Sequence, residues 1–281
     1  MTAIVPRDLP PTTLDELVAR AALLTRVDRK YVLRRDEAHE ALSGLSAHRA
    51  GEPPVRVLEI GGRREQTYES VYFDTPTLLS YRLAAHGRRR RFKVRTRSYV
   101  DSRRSFVEVK TRAERGATVK ERAPLDPAAC ALSGTARDFA DAALARAGQE
   151  APQRLDLRPV MTVGYRRSTL YVPPEARRAL AAPDRDAPGA REAPATRATV
   201  DVGLSWLAAD GTSLEIPGLV IVETKSGSRP SRVDRLLWRH GHRPTRVSKF
   251  ATGMAVLDPR LPANRWSAAL RRLARIADER R

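Results

Sequence analysis

The stretch Phe92-Lys-Val-Arg-Thr-Arg97 decides the fold class. Side chains on a strand point alternately to its two faces, so Lys93, Arg95 and Arg97 share one face and Phe92 and Val94 the other. The pattern recurs. In Phe106-Val-Glu-Val-Lys110, Glu108 and Lys110 oppose Val107 and Val109; in Val119-Lys-Glu-Arg122, Lys120 and Arg122 align. In Arg197-Ala-Thr-Val-Asp201, Arg197 and Asp201 oppose Ala198 and Val200. In Val220-Ile-Val-Glu-Thr-Lys225, Glu223 and Lys225 oppose Val222 and Thr224. A single such strand is what any half-exposed sheet shows. Repetition predicts apolar faces packed under outer helices and charged faces converging on an interior. Two unit charges a few Å apart interact by about 4 kcal/mol at an intermediate dielectric. An interior so lined needs a highly charged anion, and a phosphate chain supplies regular negative charge.

Outward from this stretch, Thr13-Leu-Asp-Glu16 has the form of a capping box, followed by Leu14, Leu17, Val18, Ala21 and Leu24 at helical spacing. Residues 28–33 read as a strand and 36–45 as a helix. Strands are expected at 55–60, 69–73, 88–99, 104–112, 118–123, 159–172, 197–208 and 213–225. Gly61-Gly62, Asp74-Thr-Pro76, the region of Gly116 and Asp210-Gly211 mark turns. Helices are expected at 77–85, 127–148, 231–240, 249–257 and 263–281, the last basic, with Trp266, Leu270, Leu273 and Ile276 on one side. Packing of this last helix on the sheet is the default expectation. The fold class expected is α+β, an eight-stranded antiparallel barrel with flanking helices. The organisation expected is an N-terminal helix over 1–24, a sheet domain over 25–258 with a mobile loop at about 173–196, and the basic helix over 259–281.

The 281 residues include 52 Lys and Arg against 33 Asp and Glu, a formal charge of +19. This points to an anionic partner, although a genome rich in Arg and Ala codons produces the same bias. Aromatic residues make up 5% and are not interleaved with the basic runs as stacking platforms, so nucleic acid is not expected as the partner. The one cysteine, Cys130, excludes an internal disulfide and suggests a cytoplasmic protein. No apolar run is long enough to span a bilayer. There is no Walker loop, nucleophile elbow or Cys/His zinc pattern. His240 and His242 have no acidic cluster beside them in the sequence and read as surface residues. Glu223 on its Lys/Arg face suits either an ion pair or Mg²⁺ or Mn²⁺ bound jointly with phosphate oxygens; Glu108 and Asp201 are weaker candidates for the same work.

The ordered set Arg29-Lys-Tyr31, Ser70-Val-Tyr-Phe-Asp74, Lys93-Val-Arg-Thr-Arg97, Phe106-Val-Glu-Val-Lys110, Val119-Lys-Glu-Arg122, Tyr165-Arg-Arg-Ser168, Arg197-Ala-Thr-Val-Asp201, Val222-Glu-Thr-Lys225 and Val247-Ser-Lys-Phe250 resembles the VTC (vacuolar transporter chaperone) catalytic domain. That domain belongs to the CYTH-like triphosphate tunnel metalloenzymes. The resemblance runs from about Thr25 to Leu257. It implies a tunnel enzyme that polymerises polyphosphate from the γ-phosphate of ATP with Mn²⁺ or Mg²⁺. It implies catalytic roles for Lys249, Arg95, Arg97 and Lys110. Phosphate binding would fall to Lys30, Lys93, Lys120, Arg122, Arg167, Arg197, Lys225, Arg246 and Ser248, and the metal to Glu223. Sibling enzymes carry ExExK on the first strand. Here the run is Arg26-Val-Asp-Arg-Lys30, one carboxylate having become Arg, which favours polymerase over triphosphatase. The SPX domain and membrane helices of eukaryotic relatives have no counterpart in this sequence, so a membrane-protein partner is left open. Triphosphatase or polyphosphatase action, or binding without turnover, are the alternatives.

Overall fold

The computed structural model describes residues 3–20, 27–47, 52–112, 118–126, 131–148, 154–174 and 195–279. Cys130, Arg26, Ala21 and Leu24, the turn near Gly116 and nearly all of the expected 173–196 loop lie outside them. In chain order the elements are β1 (Pro11–Thr12), α1 (Leu14–Arg20), β2 (Val27–Arg34), α2 (Arg35–Ser43), β3 (Arg56–Leu58), β4 (Gln66–Asp74), α3 (Leu79–Ala85), β5 (Lys93–Tyr99), β6 (Arg104–Arg112), β7 (Thr118–Leu125), α4 (Gly134–Arg146), β8 (Arg158–Val172), β9 (Thr196–Ala208), β10 (Ser213–Glu215), β11 (Leu219–Ser226), α5 (Arg232–Arg239), α6 (Lys249–Leu257) and α7 (Ser267–Asp278).

The chain forms two compact units, and β8, β9 and β11 run through both. The first comprises Met1–Glu65, Arg167–Asp201 and Val220–Thr245. Its strands follow the order β2-β11-β9-β8, with β3 antiparallel on β8 and β1 parallel on β3. Leu17 of α1 packs with Leu58, Tyr171 and Ala195. Helices α2 and α5 approach so closely that a Cβ at Gly44 would sit 3.1 Å from Leu236 Cδ2. Only half of the expected capping box forms on α1. Glu16 N–H donates to Thr13 Oγ1 at 3.2 Å. The Glu16 carboxylate turns instead to Thr12 and Arg56, accepting at 3.0 and 2.7 Å.

The second unit comprises Gln66–Arg166, Val202–Leu219 and Arg246–Arg281. Its strand order is β9-β8-β4-β5-β6-β7, with β10 antiparallel on β9. Phe92, Val94, Val107, Val109 and Phe73 point to one face and are covered by Ala136, Ala140, Ala143 and Leu144 of α4. Those helix positions recur at i, i+4, i+7 and i+8, one stripe of a helix, and the alanines let it lie close to the sheet. Thus the apolar face goes under a helix, as the alternation predicts.

The antiparallel α+β expectation stands; among the described residues the paired strands run from β2 to β7 and no pairing joins these two, so the expected closure of the barrel is not seen among them. Both ends carry edge-strand chemistry: Asp28, Arg29 and Lys30 on β2, and Lys120, Glu121, Arg122 and Pro124 on β7. The expected 88–99 strand begins only at Lys93. Gly87, at φ +67°, ends α3 in a Schellman turn, with Arg88 N–H donating to Leu83 O at 2.9 Å and Gly87 N–H to Ala84 O at 3.2 Å. The expected 213–225 strand splits into β10 and β11 because Pro217-Gly218 makes a turn, with Gly218 at φ +87° and Leu219 N–H donating to Ile216 O at 3.1 Å. The basic helix α7 packs on α6, and Trp266 at its entry lies 5.6 Å from the Tyr81 ring. Among the described residues, no helix is long and apolar enough to cross a membrane.

Candidate functional site

In the second unit, strand register sorts the polar face of β4–β7 into rows. Lys93, Lys110 and Lys120 are cross-strand partners in one row. Tyr72, Arg95, Glu108 and Arg122 form the next, and Ser70, Arg97, Phe106 and Pro124 the one after. Like charges directly opposite each other destabilise a sheet, so the lysine row gains from an anion. Glu108 is the one carboxylate on this face of β5–β7. It is fully buried and accepts from Arg95 Nε at 2.8 Å, Arg95 Nη2 at 2.5 Å and Lys120 Nζ at 2.5 Å. Burial alone would raise its pKa, but Arg95, Arg97 and Lys120 outweigh that and hold it far below the usual carboxylate range. Glu108 is therefore saturated and anchors the cations. Lys120, one-third exposed, is pushed down to about 8 by burial and by Arg95 and Arg97, against the pull of Glu108.

Aromatic rings back the cations. Lys93 lies 5.9 Å from the Phe250 ring, Arg95 5.6 Å from Tyr72, Arg97 5.6 Å from Tyr68, Lys249 4.8 Å from Tyr165 and Arg122 4.9 Å from Phe106. The rings themselves stack, Tyr68 on Tyr165 at 5.3 Å and Tyr72 on Phe250 at 4.9 Å. A ring face stiffens a cation without neutralising it. Arg97 shows the result: buried, it donates to Ser70 Oγ at 3.2 Å and leans on Tyr68, with no carboxylate paired to it among the described residues. Burial would raise the Tyr72 pKa, yet Arg95, Arg97 and Lys249 pull it below its usual value. Ser248 caps α6, accepting from Ala251 N–H at 3.3 Å, and also accepts from Lys93 Nζ at 2.7 Å. Trp206 Nε1 donates to Lys249 O at 2.7 Å and fixes the start of that helix. Arg246 is exposed just before it.

The first unit holds the remaining expected residues. Lys225 Nζ donates to Glu223 Oε1, and Lys30 Nζ lies 3.9 Å from Glu223 Oε2. Burial opposes ionisation of Glu223, but Lys30, Lys225 and Arg167 hold its pKa well below the usual value. Arg167 grips the buried Asp201 with two parallel bonds of 2.6 and 2.8 Å. Arg197 is half-buried on β9. The opposite faces of β2 and β11 are tied together by the buried Asp234 of α5. Its Oδ1 accepts from Tyr31 Oη at 2.7 Å and Thr224 Oγ1 at 2.6 Å; its Oδ2 accepts from Ser231 N–H at 2.7 Å and Ser231 Oγ at 2.8 Å. Tyr31 neighbours Lys30, and Thr224 lies between Glu223 and Lys225. Asp234 thus fixes the strands that present them.

Among the described residues no cluster of three or more acidic, His or Cys groups could hold a metal by itself. Glu108 and Asp201 are fully engaged by cations. Glu223 is ionised too, with Lys225 on one oxygen and Lys30 3.9 Å from the other; the looser contact leaves one carboxylate oxygen for a hard divalent ion that takes the rest of its ligands from phosphate and water. Single-letter pattern reading missed the aromatic backing and Asp234. Tyr72 and Tyr68 do share the parity of Ser70 on β4, but Phe250 and Asp234 reach their partners only through tertiary packing. His240 is exposed, 3.6 Å from Glu40.

No curated protein matches the sequence. Among solved structures, a candidate adenylate cyclase from Bacillus halodurans is 12% identical, with 80% of this chain and 94% of that one covered, at a TM-score of 0.44. A candidate adenylyl cyclase from Hippeastrum, described as having a dominant triphosphatase activity, is 14% identical over 83% of this chain and 99% of its own, at 0.40. At these scores neither likeness decides an activity. The sequence matches the VTC domain over residues 25–258. Its antiparallel sheet with flanking helices is an α+β architecture, and the chain belongs to the VTC domain family.

Proposed function

We propose that this protein is a polyphosphate polymerase that transfers the γ-phosphate of ATP to a growing polyphosphate chain with Mg²⁺ or Mn²⁺. The observation that supports it is the polar face of β5–β7, where Lys93, Arg95, Arg97, Lys110, Lys120 and Arg122 stand against the single carboxylate Glu108. Such a face binds phosphates, and it contains no free general base. None is needed, because the attacking oxygen of a terminal phosphate is already anionic. That oxygen bonds to the γ-phosphorus as the β–γ bridging P–O bond breaks and ADP leaves. Arg95, Arg97, Lys110 and Lys249 stabilise the charge spread over the transferring group and keep the oxygens in line. Glu223 would hold the metal, which when bound draws charge from the phosphate oxygens. Lys30, Lys225, Arg167 and Arg197 bind further phosphates, as do Arg246 and Ser248.

Incubation with ATP and Mn²⁺, followed by gel separation of products, tests this. A ladder of long polymer is expected, lost in Lys249→Ala and Glu223→Ala with the fold intact. ADP and orthophosphate without a ladder would make the protein a triphosphatase. Tight polyphosphate binding without turnover would make it a binder.

A further inference from the structure

Arg88-Arg-Arg-Arg91 lies outside the residues assigned above and has no role in them. Arg88, Arg89 and Arg90 are exposed, and Arg91 is half-buried. Arg91 stands two residues before Lys93, and Arg112 two residues beyond Lys110, the cross-strand partner of Lys93. The cationic positions of β5 and β6 therefore continue outward past the last β5–β6 pair, Lys93 and Lys110. Arg265, at the entry to α7, joins it: its guanidinium lies so close to Gly87 that any side chain there would collide with it. Among the described residues, Arg88, Arg91, Arg112 and Arg265 form no ion pair with an acid. Burial lowers the pKa of Arg91, and the groups that lower it further are Arg112 and Arg265, so the guanidiniums crowd one another. The Schellman turn at Gly87 and the bond from Arg91 Nη1 to Arg88 O, at 2.9 Å, give the run a fixed shape rather than a loose tail.

We propose that Arg88, Arg89, Arg90, Arg91, Arg112 and Arg265 form an exosite for the polyphosphate chain, holding a segment that extends beyond the phosphoryl-transfer residues. Continuity with the Lys93 row and the local excess of cations favour an anionic polymer over a small phosphate. The choice of polyphosphate rests on the function proposed above. A second hold on the same chain raises its effective concentration at the transfer residues and lengthens the product.

The test uses the full chain with Arg88, Arg89, Arg90 and Arg265 all changed to Ser, and the same four changed to Lys. Binding of long-chain polyphosphate and of tripolyphosphate is measured without ATP or metal across a salt series. In the Ser variant, long-chain affinity should fall by about tenfold or more, and its salt slope should flatten by roughly 0.7 for each lost contact. Tripolyphosphate affinity should hold, and the Lys variant should bind like the wild type. The proposal is overturned if long-chain affinity is unchanged, if tripolyphosphate weakens equally, or if the Lys variant binds as weakly as the Ser variant. It is also overturned if the arginines prove to bind phosphatidylserine vesicles while long-chain affinity stays the same. A wild type that makes no polymer yet binds long chains through these arginines would sink the polymerase reading and leave the exosite standing.

Discussion

At the scale of the residue, Arg97 is the sharpest test. It is buried and held by a hydroxyl and a ring, so its charge is available to a ligand. Arg97→Ala should cut ATP-dependent product formation by about 100-fold or more, with an unchanged far-UV spectrum. Glu108 behaves oppositely. Glu108→Gln leaves Arg95 and Lys120 without their anion and should cost about 3 kcal/mol in denaturant unfolding. Its folded-state pKa is depressed, so ionised Glu108 adds stability above the ordinary carboxylate value of about 4, and that contribution fades as pH falls below it. The acid limb of the stability profile should be flatter in Glu108→Gln; an identical limb would show the group to be idle. Lys120, down at about 8, sets a basic limit. Tripolyphosphate affinity should decline as pH rises through 8 and above, and Lys120→Arg, which stays charged, should flatten that decline.

At the scale of the element, α5 and α6 each hold a site strand or helix from behind. Asp234 accepts four hydrogen bonds from Tyr31, Thr224 and Ser231. Asp234→Ala should cost about 3 kcal/mol or more, measured by urea unfolding, because several buried donors lose their partner together. On α6, the Trp206 ring occupies the space that a Cβ on Gly253 would need. Gly253→Ala should lower stability by about 1–3 kcal/mol and weaken phosphate binding in step, since Trp206 also fixes the Lys249 carbonyl. Stability lost with binding unchanged would uncouple the two. Neither support was visible in the sequence pattern. Asp234 and Gly253 each act through a partner that only tertiary packing brings to them.

At the scale of the whole molecule, the +19 charge becomes specific only through placement. Each of the two units carries its own cationic cluster, one around Arg95 and Arg97, the other around Lys30, Lys225 and Arg167. Polyphosphate affinity should fall steeply with salt, with a log–log slope of about 3 or more. The antiparallel α+β fold, and the face on which each of Lys93, Arg95, Arg97, Glu108, Lys110 and Lys120 falls, were legible in the sequence. A strand has a period of two, and buried valines leave only one way to satisfy it. The order of motifs carried the family for a related reason, since every motif but Val247-Ser-Lys-Phe250, which opens α6, lies on a strand with its parity. Which cations stay available and which are neutralised was decided by the tertiary structure. Strand register sets Lys93 beside Lys110 and Arg95 beside Glu108, and packing brings Phe250, Tyr165 and Asp234 to partners up to 203 residues away. Charge is a property of a residue, but its neutralisation depends on distance, and distance is set by the fold.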